Sequence, residues 1–273
     1  MAATAASFFT IGPDPNGAGG EWLRPTDPCR GPWDPDACHA GPPTGMLIRA
    51  AERLLPDQRF VRITVDLLRP IPHAGFRIAG SVVRLGRTVS AAALAIVDAD
   101  DREVVTARTL HMTTQPSAEL PTAPPDTPSF AEARPGSFPI GRAAHPLPMF
   151  ADATEVRYPP GDDHSGGPTT AWMRTIALLP DDDDRAGVSG YARIAPLADC
   201  GNAFSRNAEP GRLVFMNTDL TISLHREPAG EWFGMRSVSR WESDGIGISD
   251  SLLFDEHGPV GRAIQSLIIQ HVA

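Results

Sequence analysis

A carboxylate in the second half of the chain, Asp199, stands near the end of a stretch that predicts a short buried helix. The stretch reads Gly-Tyr-Ala-Arg-Ile-Ala-Pro-Leu-Ala-Asp-Cys-Gly-Asn over residues 190–202, and its apolar side chains recur at helical spacing. Gly201 and Asn202 predict a helix stop, which puts Asp199 in the last turn, where the helix dipole does not favour an anion. Asp199 therefore needs other partners, as a base in a reaction or as a loop cap or ion-pair partner of an arginine.

A second polar side chain, Gln265, interrupts the apolar run Arg-Ala-Ile-Gln-Ser-Leu-Ile-Ile over residues 262–269, which predicts a strand. A buried amide without partners costs roughly 1–3 kcal/mol. Gln265 therefore either bonds to neighbouring backbone or belongs to a functional site.

The segment His-Ala-Gly-Pro-Pro-Thr-Gly at residues 39–45 precedes a run of good helix formers at 46–55. Pro42 and Pro43 suit the first turn of a helix, where no donor is needed. The small residues before them leave backbone N–H groups uncovered at a positive helix end, where an oxyanion can bind. The alternative is an ordinary buried helix with a proline start.

Composition excludes several classes of protein. The chain has 273 residues, a net charge of -9 and 24 basic residues, every one of them arginine. The acidic balance argues against a nucleic-acid partner, and the absence of lysine excludes Schiff-base chemistry. Arginine is left to meet any anionic ligand.

Cysteine usage and the first residues predict a cytoplasmic protein without a membrane partner. The three cysteines, Cys29, Cys38 and Cys200, form no CxxC pair and leave an odd count, so neither a disulfide framework nor a thiolate zinc site is indicated. The first residues lack the positive region of a secretory signal, and no apolar run approaches the roughly 20 residues that span a bilayer.

Motifs for other chemistries are missing from the sequence. It has no Gly-x-Ser-x-Gly elbow, no dinucleotide loop, no phosphate loop and no His-Glu-x-x-His pair. The pattern therefore implies neither a metal nor an organic cofactor.

The order of predicted elements occurs twice along the chain. Each half has two strands, a helix and four strands, which predicts an antiparallel sheet wrapped on one helix. A proline-rich segment at 115–147 connects the halves, and the run Asp181-Asp-Asp-Asp predicts a solvated turn. The predicted strands are residues 7–11, 21–23, 60–68, 76–85, 88–97 and 103–112, then 151–158, 170–179, 213–224, 231–241, 247–254 and 260–270.

A shift of 157 residues relates the two halves, because it superposes Asp98 on Asp255 and residues 61–69 on 218–226. This spacing indicates a duplicated domain, with an N-terminal unit at 1–114 and a C-terminal unit at 148–273. We expect the two units to pack as a pseudo-dimer within the chain. The same shift places Gln265 on Arg108, so only the second half keeps the amide.

Five motifs carry a resemblance to a known family: HAGPPTGML from His39, LLRPIP from Leu67, RLGR from Arg84, LADCGN from Leu197 and NTDLTISLHR from Asn217. With these motifs the chain resembles the acyl-CoA thioesterase II family and its actinobacterial thioesterase-like relatives. The resemblance implies an α+β double hotdog fold, with two antiparallel sheets that each wrap a central helix and pack as a pseudo-dimer.

The resemblance also implies a catalytic set. The family's carboxylate falls on Asp199, its strand glutamine on Gln265 and its hydroxyl residue on Asn217, which departs from the family pattern. Asp199 is expected to activate a water that the two amides position. The N–H groups of Ala40 and Gly41 are the candidate oxyanion donors.

His39 lies beside these donors, at the edge of the implied substrate-binding region. It is either an acid or base of the reaction, or a surface or capping residue.

The activity implied is hydrolysis of an acyl thioester, as acyl-CoA or as a carrier-bound acyl group, with no cofactor and no metal. Because Asn217 replaces a hydroxyl residue, two alternatives stay open. One is a non-hydrolytic acyl or small-ligand binding protein. The other is an enzyme of secondary metabolism that dehydrates or cyclises a polyketide-like substrate. Lipid metabolism is the expected setting of the hydrolase, and homo-oligomerisation is left open.

Overall fold

The computed structural model describes residues 7–15, 17, 21–115, 117, 120, 126–139, 145–180, 188–208 and 212–271. The helices in this part of the chain are α1 (Gly41–Leu54), α2 (Gly190–Arg193), α3 (Ala195–Ala198) and α4 (Gly201–Phe204). The first strands are β1 (Phe9–Pro13), β2 (Glu21–Pro25), β3 (Arg59–Leu67), β4 (Phe76–Arg84), β5 (Val89–Val97) and β6 (Glu103–Met112). The later strands are β7 (Arg134–Gly136), β8 (Thr154–Tyr158), β9 (Thr169–Thr175), β10 (Leu213–Asn217), β11 (Asp219–Leu224), β12 (Phe233–Trp241), β13 (Ile246–Asp255) and β14 (Gly258–His271).

All of these strands belong to one antiparallel sheet, which explains why so few helices suffice to cover its inner face. The order is β1-β2-β4-β5-β6-β3-β11-β14-β13-β12-β9-β8-β7, and β10 pairs with the end of β14. The two halves meet where β3 pairs with β11, between Asp66 and Arg62 on one strand and Asp219 and Ser223 on the other. A continuous sheet therefore joins the first half to the second.

Helix α1 is the central helix of the first half and is buried along most of its length. Its first turn contains Pro42 and Pro43, as predicted, and every residue from Gly41 to Arg49 is buried. A Cβ at Gly45 would lie 2.7 Å from the carbonyl oxygen of Ala192, so glycine there lets α1 pack directly on α2. Within the described ranges, no helix is both long and apolar enough to cross a membrane.

Two positions related by the 157-residue shift face each other where β3 pairs with β11. Thr64 and Thr221, which are 157 residues apart, face each other across β3 and β11, and their hydroxyls are 3.2 Å apart. The turns at Asp98 and Asp255 also match, since each carboxylate accepts the N–H of the residue two positions later. These two pairs of positions have matching hydrogen bonds, and the duplicated domain stays a prediction.

The equivalence of Gln265 and Arg108, which was predicted from the repeat, is wrong. Thr64 faces Arg108 and Thr221 faces Ile264, so the last strands of the halves are related by 156 residues. The missing residue lies in the turn between the last two strands of each half, since residues 98–102 separate the paired Val97 and Glu103 whereas only residues 255–258 separate the paired Phe254 and Pro259. The buried equivalent of Gln265 is therefore Thr109 and not the exposed Arg108.

The helical stretch around Asp199 is broken into three single turns, where the sequence predicts one helix. Asp199 is the C-cap of α3, and its N–H bonds to the carbonyl oxygen of Ala195 at 3.2 Å. The helical region does not stop at Gly201 and Asn202, because these residues begin α4. A Cβ at Gly201 would lie 2.5 Å from Ser251 Oγ, so this glycine is needed for close packing on the sheet.

Three other predictions differ from the structure or fall outside it. The run at 213–224 forms two strands, because the strand conformation is interrupted at Thr218, between β10 and β11. The connecting segment contributes one short edge strand, β7, which pairs with β8. The turn predicted at Asp181 to Asp184 lies outside the described residues. The remaining strand predictions agree with the structure within a few residues.

Replacing Glu52 with glutamine tests the packing of α1 on α2. Glu52 accepts a hydrogen bond from Ser189 Oγ at 2.7 Å, and burial raises its pKa to about 7, with the Glu227 carboxylate adding to the rise. The folded-state pKa lies above the unfolded one, so Glu52 lowers the stability as the pH rises through 7. We expect Glu52→Gln to raise the free energy of unfolding by about 1–2 kcal/mol at pH 8 and by nothing at pH 5.

Urea unfolding at the two pH values measures this difference. Glu103→Gln, an exposed change of the same type at the start of β6, is the matched control and should leave stability unchanged at both pH values. An equal gain for Glu52→Gln at pH 5 and pH 8 would contradict the electrostatic explanation.

Candidate functional site

Two amide side chains that lie far apart in the sequence converge on the carboxylate of Asp199. Asn217 Nδ2 donates to Asp199 Oδ1 at 2.9 Å, and Gln265 Nε2 donates to the same oxygen at 3.1 Å. Gln265 Nε2 also reaches the backbone oxygen of Asp199 at 2.9 Å, while its Oε1 accepts the N–H of Asn202 at 3.1 Å. The structure thus brings together all three residues that the sequence analysis grouped.

The secondary structure places each member of this set. Asp199 caps α3, Gln265 points inward from the middle of β14, and Asn217 points inward at the last residue of β10. The break at Thr218 ends β10 there, and Asn217 Nδ2 makes a further contact with the backbone oxygen of Asp219 at 3.2 Å. Both amides donate to the carboxylate itself, so in this geometry they orient it.

His39 lies on the other side of the carboxylate, at the start of α1. Its Nδ1 is 3.2 Å from Asp199 Oδ2, and its ring stacks on Phe150 with the ring centres 4.0 Å apart. The segment that carries His39 is fixed by the bond from its N–H to the carbonyl oxygen of Cys29 at 2.8 Å. Phe150 was not singled out from the sequence, because nothing in the proline-rich region before it indicates a contact with His39.

The contact between His39 and Asp199 is a hydrogen bond between neutral groups at the lower end of the physiological pH range. Burial lowers the pKa of His39 to about 3, so the ring is neutral. Burial also raises the pKa of Asp199 to about 7, although the hydrogen bonds from Asn217, Gly41 and Gln265 act in the opposite direction. The Gly41 N–H lies against both His39 Nδ1 and the Asp199 carboxylate, so an unprotonated Nδ1 can accept the proton of the Asp199 carboxyl when the N–H is directed at Asp199.

Gly41 permits the approach of α1 to α3. A Cβ at this position would lie 2.8 Å from the Cα of Pro196 and 3.2 Å from the Cβ of Asp199. The Gly41 N–H, one of the two candidate oxyanion donors, is directed at His39 and Asp199. Among the described residues the N–H of Ala40, the other candidate, has no hydrogen-bond acceptor.

Two neighbours of the site have structural roles. The Asp219 carboxylate accepts the N–H of Ser266 at 2.5 Å and joins the strands where β10 ends, so it contacts Asn217 through its backbone oxygen and not through its carboxylate. Cys200 is fully buried, with Sγ 3.1 Å from the carbonyl oxygen of Pro196, and burial beside Asp199 raises the pKa of its thiol. Cys200 is therefore a core residue.

A layer of buried serines below α4 was missed by the sequence analysis. Ser237 and Ser251 share a hydrogen bond of 2.7 Å, and Ser249 faces Gln265 directly across β13 and β14. The Ser249 hydroxyl is buried and has no partner in the described part of the chain. The signal was present in the sequence, since serines alternate along both β12 and β13 at the period of one strand face.

Three cavities open elsewhere on the described surface. The first has a volume of about 530 Å³ and lies beside β9 and α3, the second about 600 Å³ near the start of β10, and the third about 290 Å³ between α1 and β4. None of these three is lined by Asp199, Asn217 or Gln265. Asp199 itself is only 4% exposed, and Asn217 is the partly exposed member of the set. Among these three side chains, solvent therefore reaches mainly Asn217.

The described residues contain no group of three His, Cys, Asp or Glu side chains placed to hold a metal ion. The carboxylate of Asp199 is instead surrounded by amide donors and one neutral imidazole. The arrangement suits a base that gains and loses a proton near neutral pH.

Asp199→Asn should stabilise the protein at alkaline pH. An asparagine Oδ1 keeps the bonds from Asn217 and Gln265, and its Nδ2 can donate to His39 Nδ1, so no buried group loses its partner. Because the folded-state pKa of Asp199 is raised from 3.8 to about 7, the native protein loses stability as the pH rises from about 4 to 7, and the variant does not. We expect a gain of about 1–3 kcal/mol at pH 8.5, a smaller gain at pH 5.5 and little change at pH 4, measured by chemical unfolding. Destabilisation at pH 8.5 would show that the carboxylate is held as a favourable anion.

Comparison with solved structures identifies the type of fold. A hotdog-fold protein from Alicyclobacillus acidocaldarius is 18% identical, with 93% of this chain and 94% of that one covered and a TM-score of 0.70. The tesB protein of Mycobacterium avium subs paratuberculosis is 14% identical over 92% of each chain, with a TM-score of 0.61. An acyl-CoA thioesterase II from Mycobacterium marinum is 16% identical over 87% and 91% of the two chains, with a TM-score of 0.60. At these identities the likeness shows a hotdog fold.

Comparison with protein-family models covers most of the chain. Residues 29–112 match the acyl-CoA thioesterase N-terminal domain, and residues 117–269 match the acyl-CoA thioesterase C-terminal domain. No curated protein matches the chain. With both domains matched in order, the chain belongs to the acyl-CoA thioesterase family.

Proposed function

We propose that the protein hydrolyses an acyl thioester by activating water with Asp199. The observation that carries this proposal is the buried carboxylate whose pKa is raised to about 7 and whose Oδ1 is fixed by two amides. A base with a pKa near the working pH is present in its ionised form and still binds a proton strongly. The family supports a thioester as the substrate, with acyl-CoA as the first candidate.

The proposed architecture is a double hotdog, with one unit at 1–114, the connecting segment at 115–147 and the second unit at 148–273. The pairing of Thr64 with Thr221 across β3 and β11 supports a pseudo-twofold relation between the units. His39 and Gly41 come from the first unit, and Asp199, Asn217 and Gln265 come from the second. The site then needs both units, as expected of a pseudo-dimer.

In the proposed reaction Asp199 Oδ2 accepts the proton of the attacking water, since Oδ1 is already filled by the two amides. The new O–H then donates to the neutral Nδ1 of His39, which stabilises the protonated base. His39 therefore acts as an acceptor that helps Asp199 hold the proton. The sequence analysis expects Asn217 and Gln265 to position the water. Because both amides already donate to Asp199, they must do so through their remaining N–H and oxygen positions.

The Ala40 N–H is the better of the two candidate donors to the thioester oxyanion. It precedes the first turn of α1 and has no described acceptor, whereas Gly41 N–H already contacts His39. One well-placed donor contributes several kcal/mol to acyl transfer. Only the second unit has the glutamine, since the equivalent of Gln265 is Thr109, so one working site per chain follows.

A non-hydrolytic role in ligand binding is the second candidate, favoured by the cavity of about 530 Å³ whose wall includes Leu178, Leu197 and Phe233. This cavity could hold an acyl group without contact to Asp199. Chemistry on a polyketide-like substrate, a cytoplasmic location and the absence of membrane and nucleic-acid partners stay predictions from the sequence.

The pH dependence of thiol release from acyl-CoA substrates tests the proposal. Because only ionised Asp199 can act as the base, kcat/KM should rise with pH and level off above about 7. Asp199→Asn should lower kcat/KM at pH 8 by at least about 100-fold. Asp66→Asn is the control. Asp66 lies on β3, the strand that pairs with β11, and this variant should retain activity. A kcat/KM that already levels off near pH 4 would contradict the assignment of Asp199 as the base. An active Asp199→Asn protein would contradict it as well.

His39→Phe tests the proton acceptor separately. Phenylalanine can keep the stacking on Phe150 but cannot accept the proton of Asp199 Oδ2. The protonated carboxyl loses a hydrogen bond, so the pKa of Asp199 should fall and the rise in kcat/KM should move to lower pH by about one unit. An unchanged pH profile would assign His39 a packing role only.

A further inference from the structure

The cavity between α1 and β4 combines an apolar wall with a small group of charged side chains. It measures about 290 Å³, and all of its described wall comes from the first half of the chain. The charged side chains are Glu21, Arg49 and Arg53. The apolar side chains are Leu23, Met46, Ala50, Leu54, Ile78 and Leu94. Pockets for small organic molecules have this composition, with a few polar groups that orient the ligand in a mostly apolar space.

The cavity exists because β4 is longer than the part of it that β2 covers. The two strands pair only at Trp22 with Arg77 and at Leu23 with Phe76, whereas β4 continues to Arg84. Glycine at position 80 keeps the space open, since a Cβ there would lie 3.0 Å from Leu54 Cδ1. The second half of α1 therefore passes over a part of β4 that β2 leaves uncovered.

Arg49 is buried in the wall of this cavity, and one of its donors is unused. The residue is 7% exposed, and its Nη1 donates to Glu21 Oε2 at 2.9 Å. Its Nε is buried and has no partner among the described residues. A guanidinium binds a carboxylate through two parallel hydrogen bonds, and the edge that carries Nε is available for them. A buried arginine with an unused donor indicates an acceptor that comes from outside the chain.

The charged side chains of the wall carry one excess positive charge. Glu21 is shared by two guanidiniums, because its Oε1 also accepts from Arg53 Nη1 at 2.8 Å. Burial raises the pKa of Glu21, but the hydrogen bonds from Arg49 and Arg53 outweigh it and lower that pKa overall. Glu21 is therefore ionised at neutral pH and balances only one of the two arginines. This balance favours a ligand with a single negative charge.

We propose that this cavity binds a small organic monocarboxylate with an alkyl chain. The carboxylate of the ligand accepts from Arg49 Nε and lies near Arg53, while its chain packs on Met46, Leu54 and Leu94. Charge recognition and apolar burial then act on the two ends of one molecule.

The proposed site is separate from the candidate active site and does not rest on the proposed hydrolase function. Arg49 lies eight residues beyond Gly41 along α1, which corresponds to about 12 Å of helix. The thioester of an unsubstituted acyl group has no free carboxylate. The ligand is therefore a free acid, and not the acyl part of a substrate bound beside Asp199.

Calorimetric titration of the full chain with octanoate, 1-octanol and acetate tests this proposal without any turnover. Octanol keeps the chain but lacks the charge, and acetate keeps the charge but lacks the chain. We expect octanoate to bind at least about tenfold more tightly than either, since only octanoate uses both walls of the cavity.

Three variants test the location of the bound acid. Arg49→Met removes the buried guanidinium, keeps most of its volume and should weaken octanoate binding by at least about tenfold. Arg53→Gln should weaken it by about threefold, because this charge is partly screened by solvent. Ala50→Leu places a larger side chain in the cavity without a change of charge and should abolish octanoate binding.

The matched control is Arg262→Gln, which should leave octanoate affinity unchanged. Arg53 and Arg262 each have a side chain that is 55% exposed, and each is paired with one carboxylate, Glu21 and Asp250 respectively. If Arg49→Met does not fold, Arg53→Gln and Ala50→Leu still decide the location.

Several outcomes would overturn the proposal. One is octanol or acetate that binds as tightly as octanoate. Another is an octanoate affinity that is the same in the Arg53→Gln and Ala50→Leu proteins as in the unmodified chain. A third is loss of octanoate binding in Asp199→Asn, which would assign the acid to the candidate active site. Octanoate binding without thiol release overturns only the hydrolase, and thiol release without octanoate binding overturns only this site.

Discussion

The close contact between the start of α1 and the end of α3 is the constraint on which the site depends. A Cβ at Gly41 would collide with Pro196, so only glycine lets the two helices meet at this distance. Their contact removes Asp199 from water and puts His39 beside it. Burial then raises the pKa of the carboxylate, which is the property a water-activating base requires.

A carboxylate buried in this way is tolerated because every neighbour of it is a neutral polar group. Two amides donate to one oxygen, and a neutral imidazole accepts the proton of the other. An arginine in place of either amide would lower the pKa and favour a permanent anion. The chain instead keeps its arginines elsewhere, including the cavity at the far end of β10.

Most of the fold was predictable because its signals are local. Alternating apolar residues gave β3 to β6 within one or two positions, and Pro42 with Pro43 marked the start of α1. The errors occurred where packing overrides such signals. Gly201 looked like a helix stop and instead allows contact with Ser251. A turn that is one residue shorter in the second half makes Thr109, and not Arg108, the equivalent of Gln265. Neither a one-residue change in a turn nor a close approach leaves a periodic pattern.

By itself the sequence pointed to the candidate side chains, since Asp199 and Gln265 are polar groups in apolar stretches and Asn217 follows from the family motif. It also predicted two similar units in one chain. Only the tertiary structure decided what these side chains contact. The contact of His39 with Asp199, the stacking of His39 on Phe150 and the bond from Gln265 to Asp199 join residues that are far apart along the chain. Such contacts depend on how the helices and strands pack, and no local spacing encodes them.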